Sequence, residues 1–380
     1  MTTTETVSTS WFSRLGNSFK NILIGLVLVI GMAILLFWNE GRAVKTEQGL
    51  KEGLAVVVSV TPDKKNPMNE GKLIHFSGMT NAPGTLIDEE FGLSKKALKM
   101  KRIVEVYQWA EETKSKTIDK LGGGTETTTT YSYVKKWSNA IIDSTRFKEA
   151  DLHQNPSSKL LADKEWFAQD VTVGAYPISE ELLSSLSGYQ PLSLSQEVLN
   201  TQETSMSAEL QIVGDIIYYK TKDTSVPEIG NTRISYEAIT PQEISVVYKQ
   251  EGKSLVPYQT KNGSMIGMIQ LGTSSAEQMF KNAQESNKVM TWIIRVVGIL
   301  LMFVGFQLLL GVLPVIGSVI PFVGKIVGAG VGVVSFLLTI ILASIVIAVA
   351  WIFYRPIIGI MLLLIAGGGY ILLMKKSKKE

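Results

Sequence analysis

Charge is missing from most of the last quarter of the chain. No charged residue occurs from position 296 to 324, none from 326 to 354, and none from 356 to 374; Lys325 and Arg355 are the interruptions. Crossing the hydrocarbon core of a bilayer takes roughly 20 mostly apolar residues. An unpaired backbone polar group in lipid costs several kcal/mol, so each run must be helical. A fourth apolar run, 21–39, lies near the N-terminus. Residues 40–288 are polar enough to fold in water.

The pattern predicts a membrane protein of mixed α and β structure. One N-terminal and three C-terminal transmembrane helices flank a large β-rich extracytoplasmic module, barrel- or sandwich-like. The expected segments are a cytoplasmic stretch 1–20, helix 1 at 21–39, the module at 40–288 and helix 2 at 289–313. An uncharged re-entrant or interfacial connector follows at 314–325, charge-free as far as Gly324. Helix 3 occupies 326–354, helix 4 occupies 356–374, and a basic cytoplasmic tail closes the chain at 375–380. A cleaved signal peptide has a shorter apolar core and a small-residue cleavage site. Here Phe37-Trp38-Asn39-Glu40 stands where cleavage would fall, which favours an uncleaved anchor.

Orientation follows from short flanking segments, because long domains translocate largely regardless of charge. Lys375, Lys376, Lys378 and Lys379 hold the tail in the cytoplasm, and four spans put both termini on that side. The module is then periplasmic, luminal or exterior. Arg42 and Lys45 oppose this weakly.

Strand signals dominate the module. Stretches 54–60, 73–77, 101–111, 127–142, 210–220, 232–238, 242–250 and 265–270 are β-branched or alternating. Gly122-Gly123-Gly124 is expected to form the mobile tip of a long hairpin, most of it solvated or paired with another subunit. Asn262-Gly263 suits a type I′ turn, which needs positive φ at both central positions. Ser179 is placed to cap a short helix at 180–186. Ser275-Ala276-Glu277-Gln278 resembles a capping box opening a helix that runs without proline or glycine past Trp292 and Arg295. Residues 1–10, rich in Thr and Ser, read as disordered.

Within the membrane cluster, Gly324, Gly328 and Gly332 recur every four residues, a spacing that lets helix backbones approach closely. Glycine is also simply frequent in membrane helices. Trp38, Trp292, Trp351, Tyr354 and Arg355 are candidate interface anchors. No span centre carries an ionisable residue, which argues against an ion-coupled transporter or voltage-gated channel.

The chemistry-bearing residues are few. The chain has no cysteine, which removes disulfides, thiol catalysis and Cys-ligated metals. His75 and His153 are the only imidazoles and lie in no paired-ligand spacing. Gly122-Gly123-Gly124 lacks the lysine and helix of a phosphate loop, and no Gly-x-Ser-x-Gly elbow is present. The expectation is no catalytic, cofactor or metal site and no enzyme. A balance of 37 basic to 34 acidic residues gives no case for nucleic acid. Asn39-Glu40-Gly41-Arg42, at the exit of the first span, is a candidate partner site, with an interfacial ion pair or turn as the plainer alternative.

Several short motifs carry a family resemblance. In order they are Asn39-Glu40-Gly41-Arg42-Ala43-Val44-Lys45-Thr46, Asn69-Glu70-Gly71-Lys72-Leu73-Ile74-His75 and Val104-Glu105-Val106-Tyr107-Gln108-Trp109. Gly214-Asp215-Ile216-Ile217-Tyr218-Tyr219, Leu255-Val256-Pro257-Tyr258 and Trp351-Ile352-Phe353-Tyr354-Arg355-Pro356 follow. Together they resemble the transmembrane protein 43 family, also called LUMA, over nearly the whole chain. The resemblance implies four spans with a large luminal or periplasmic module between the first and second. It implies the endoplasmic reticulum and inner nuclear membrane for a eukaryotic member and the inner (plasma) membrane for a prokaryotic one. Low cysteine and histidine content leans to the latter. Eukaryotic members are associated with lamina and nuclear-envelope proteins and are treated as organisers of membrane complexes.

The expected function is an integral membrane scaffold, self-associating as a homo-oligomer in the lipid bilayer and organising other membrane proteins through its module. The alternative is a pore-forming or lipid-handling protein in which the segment 313–324 lines a passage.

Overall fold

The computed structural model describes residues 2–194 and 210–357. Five α-helices occur among them: α1 (Trp11–Val56), α2 (Glu180–Ser185), α3 (Ala276–Leu310), α4 (Val312–Gly317) and α5 (Pro321–Tyr354). Three of these, α1, α3 and α5, are long and apolar enough to cross a membrane. The expected fourth span at 356–374 and the tail at 375–380 lie outside the described residues, except Pro356 and Ile357. The chain divides into two compact units.

The first unit is the β-rich module, built chiefly from Glu52–Lys114 and Thr130–Phe280. The long strand Lys99–Asp119 pairs antiparallel with Thr232–Ile239, setting Val104 opposite Ile234. In a second sheet, Leu73–Asn81 pairs antiparallel with Glu243–Glu251, setting Phe76 opposite Val246. Side chains of both sheets share one core, including Phe76, Met100, Val104, Ile234 and Val246. The period-2 alternation explains this: Val104, Val106 and Gln108 turn inward while Ile103, Glu105 and Tyr107 stay half-buried. Ser179 caps α2 by accepting from the Leu182 amide at 3.4 Å, as its sequence position predicts.

The second unit comprises Glu5–Lys51, Ser115–Thr129 and the chain from Lys281 onward. Its core is small: Val29, Leu36, Met302 and Ala343. Most other apolar side chains point outward, Leu23, Val27, Ile30 and Ile34 among them. A water-soluble helix hides one apolar stripe; helices apolar on their outer faces as well suit lipid. α1 and α3 cross at glycine. A β-carbon on Gly25 would come 2.6 Å from the Gly305 carbonyl oxygen, and one on Gly305 would come 2.7 Å from Val29. The expected continuity of α3 is present, and Ser275 accepts from the Gln278 amide at 3.2 Å.

Several expectations are corrected. The stretch 54–60 is not a strand: α1 continues to Val56, and only Val58–Ser59 pairs, parallel with Leu73–Asn81. The helix persists because Gly53 lets its backbone close on the Ile266 and Phe280 side chains, so packing overrides β-propensity. The stretch 210–220 is a hairpin, Leu210–Val213 with Ile216–Tyr219, turning at Gly214 with φ 61°. Asn262 does not take positive φ; only Gly263 does, at 76°. The connection between Tyr258–Gln259 and Met265–Ile266 is therefore a longer loop, closed by Asn262 Oδ1 accepting from the Ser264 amide. Residues Thr2–Thr9 form a strand beside Thr125–Ser138, as β-branched threonines at a free sheet edge allow. The first helix starts at Trp11 and ends at Val56, well beyond 21–39 on both sides.

The hairpin tip also departs from expectation. Gly123 is buried and Gly124 half-buried, although Gly122 stays exposed. The Gly122 amide donates to Val319 O at 3.1 Å, and Arg14 Nη1 donates to Gly123 O at 2.5 Å. Trp11 Nε1 donates to Val315 O at 2.8 Å beside them. The connector expected at 314–325 is the short helix α4 and the start of α5, and it carries this docking site.

Candidate functional site

The densest polar cluster of the membrane unit sits where the apolar run of α1 ends. Glu40 is 1 % exposed and Asn39 fully buried, although both follow Trp38 directly. On α3, Asn287, Thr291 and Arg295 recur at intervals of four and so share one helix face. That face meets α1. Arg295 donates from Nε to Glu40 Oε1 at 2.6 Å and from Nη2 to Oε2 at 2.7 Å. From α5, Trp351 Nε1 donates to the same Oε2 at 2.8 Å. The Arg295 guanidinium also lies over the Trp292 ring, 4.9 Å from its centre.

A second layer lies alongside. Arg42 donates from Nη1 to Asn287 Oδ1 and from Nη2 to Thr291 Oγ1, both at 3.0 Å. Asn39 Nδ2 donates to the Thr291 carbonyl at 3.1 Å, and Asn287 Nδ2 to the Ala43 carbonyl at 2.9 Å. Gly41 makes room for the Tyr354 ring, which a β-carbon would approach to 2.6 Å. Just beyond α5, Arg355 Nη2 donates to Glu47 Oε2 at 2.7 Å. Three helices are thus tied together by side chains that satisfy one another.

Each sequence candidate can be placed. Glu40 and Arg42 pair with α3 rather than with each other. Trp38 is exposed at 54 % and faces away, as an interfacial aromatic does. Trp292 is exposed as well; Trp351 is turned into the cluster, and Tyr354, still exposed, lays its ring against Gly41. Gly324 packs on the α4 end, with Ser318 Cα 2.8 Å from a would-be β-carbon; Gly328 and Gly332 face Pro314 and Gln307 at 3.7 Å. Asn287 and Thr291 were not singled out by sequence. Their four-residue spacing with Arg295, just ahead of a charge-free run, is the signal that marks them. Gly25 and Gly305 had no such signal, since each stands alone in an apolar run.

The module holds a second buried polar cluster of its own. Asp88, 1 % exposed, accepts from Arg102 Nη1 at 2.8 Å and from the Tyr236 hydroxyl at 2.7 Å. Burial opposes the Arg102 charge, but Asp88 and Glu90 outweigh it and hold the guanidinium above its ordinary pKa. Burial and the Asp88 carboxylate both push the Tyr236 phenol up. Arg102 also donates to Ala162 O from Nε and Nη2 at 3.1 and 3.0 Å, so its donors are occupied structurally. Among the described residues, no group of three or more His, Asp or Glu is assembled to hold a metal ion.

Comparison with known proteins identifies a family. A family model described as Transmembrane protein 43 matches residues 106–356. The chain is 31 % identical to Transmembrane protein 43 of Rattus norvegicus over 360 residues, covering 91 % of this chain and 88 % of that protein. It is 31 % identical to the Homo sapiens protein of that name over 365 residues, covering 93 % and 89 %. It is 30 % identical to the Transmembrane protein 43 homolog of Drosophila melanogaster over 353 residues, covering 90 % of each. No solved structure matches. With its long apolar helices, β-rich module and similarity along nine-tenths of its length, the chain belongs to the Transmembrane protein 43 family.

Proposed function

We propose that this protein is a multi-pass membrane scaffold that self-associates and organises other membrane proteins, with the β-rich module as its assembly surface outside the lipid. The observation that carries this reading is the mutual satisfaction of two buried carboxylates, Glu40 and Asp88. Glu40 is occupied by Arg295 and Trp351, and Asp88 by Arg102 and Tyr236. Such clusters fix helices and strands: the carboxylates of Glu40 and Asp88 are taken up in holding the fold. A surface for self-association would be α5 at Gly330, where a β-carbon would meet nothing within 4 Å among the described residues. Small residues at such positions let a second helix approach.

The test is mass measurement of the purified full-length protein in detergent, paired with conductance recording after reconstitution. A defined oligomer that Gly330→Leu dissociates, with no current, supports the scaffold. A monomer at all concentrations overturns self-association. A gated current altered by substitutions at Gly317 or Ser318 overturns the scaffold in favour of a pore.

A further inference from the structure

A cleft of about 450 Å³ opens beside the Glu40–Arg295 pair, walled by α1, α3 and the end of α5. Four cations line it, Lys51, Lys288, Arg295 and Arg355, against two carboxylates, Glu40 and Glu47. Both carboxylates are engaged within the chain: Glu40 by Arg295, Glu47 by Lys51 and Arg355. The cations are not all engaged. Arg355 Nε is buried with no hydrogen-bond partner, although Nη2 of the same guanidinium holds Glu47. Lys288 forms no ion pair with any described residue. The cleft therefore presents a surplus of donors and positive charge.

Its depth narrows the ligand. Arg295 immediately precedes one charge-free run and Arg355 immediately follows another. Trp292 and Trp351, which also line the cleft, are of the residue type enriched at headgroup level. The groups found at that depth are lipid headgroups, and guanidinium and ammonium donors match phosphate oxygens. The volume suits a headgroup, while acyl chains would lie along the exposed apolar faces of α3 and α5. We propose that this cleft binds the phosphate of an anionic membrane lipid, with the Lys288 ammonium and the Arg355 guanidinium as its donors.

The test uses the full-length protein in nanodiscs of phosphatidylcholine with a minor share of phosphatidylglycerol, and native mass spectrometry to count retained lipids. The expected result is selective retention of phosphatidylglycerol. Lys288→Gln should weaken it about tenfold, the effect of losing one charge-assisted contact of about 1.4 kcal/mol. Lys281→Gln, on an exposed residue of α3 outside the cleft, should leave retention unchanged. Lys288 is itself exposed, so its substitution does not threaten folding; Arg355→Gln gives a second reading where melting shows the protein intact. Equal retention of both lipids, or wild-type retention in Lys288→Gln, overturns the proposal. Displacement of the lipid by inorganic phosphate at equal concentration overturns the lipid as source and leaves free phosphate as ligand.

Discussion

Arg295 holds the Glu40 carboxylate with two parallel hydrogen bonds, 2.6 and 2.7 Å long, across 255 positions of sequence. The pair is almost fully withdrawn from water, with Glu40 at 2 % and Arg295 at 14 % side-chain exposure. Two charges in that position are tolerated because geometry and the added Trp351 donor satisfy them. Removing one partner strands the other, which costs roughly 3–5 kcal/mol for a buried pair. Glu40→Gln should therefore lower the apparent unfolding temperature in detergent sharply. The double variant Glu40→Gln with Arg295→Gln should lose less than the two single losses combined, because the lone charge is gone. Additive losses would show that the two side chains act independently.

The glycine crossing makes a second prediction, with an internal control. Gly25→Ala drives a methyl into the Gly305 carbonyl, backbone against backbone, and has no flexible side chain to displace. Overpacking of this kind costs about 1–3 kcal/mol. At Gly31 on the same helix a β-carbon meets nothing within 4 Å among the described residues, so Gly31→Ala should be neutral or stabilise by up to about 1 kcal/mol through helix propensity. Equal melting of the two variants would mean that α1 and α3 do not close on glycine.

How far the sequence reveals this arrangement depends on the range of the interactions. The strands with strict alternation, such as Lys99–Asp119, and the capped starts of α2 and α3 are legible because their determinants are local. The end of α1 is not: Val56 and its neighbours look like a strand until Ile266 and Phe280, more than 200 positions away, are known to pack on Gly53. The Glu40 site is half legible. Asn39-Glu40-Gly41-Arg42 marks one wall, but nothing local says that its partners are Asn287, Thr291 and Arg295. The apolar helices α1, α3 and α5 are legible as candidate spans, though not their ends, since absence of charge over many residues is itself a long-range statement about solvent.

The hairpin tip bears directly on topology. The expected four-span topology would put the α4 turn on the face of the lysine tail and residues 40–288 on the other. Gly122 and Gly123 belong to that stretch, yet they bond Val319, Arg14 and Ser318. Carrying strands with charged side chains through lipid is costly, so the face on which the tip lies is a direct test of that expectation. Docking should protect the Lys120 peptide bond from trypsin. Gly123→Val should expose it, because Gly123 has φ 80° and a β-carbon there collides with the Trp11 ring. A reporter within 122–124 should share a face with Trp11. Unchanged cleavage and a reporter on the far face would show that the tip stays with the module.

A final prediction concerns pH and rests on His75, which lies in the Leu73–Asn81 strand with 7 % exposure. Burial pushes its pKa below 6.5, and the Ser274 carbonyl, which pulls the other way, does not offset this. The carbonyl can only accept, so Nε2 carries the proton at 2.8 Å, and Nδ1, 3.3 Å from the Ser59 hydroxyl, is the acceptor of the neutral ring. A histidine with a lowered folded pKa binds fewer protons folded than unfolded. Stability is then complete above the unfolded value and falls as pH drops through about 6.5 toward the lowered folded value. The apparent unfolding temperature in detergent should fall between pH 7.5 and 5.5. His75→Gln keeps a polar group that can donate to Ser274 and removes the titration, so it should lower stability at pH 7.5 but flatten its decline. An identical decline in the variant would assign the pH dependence to the carboxylates, and His75 would then be a strand residue with no titrating role in the fold.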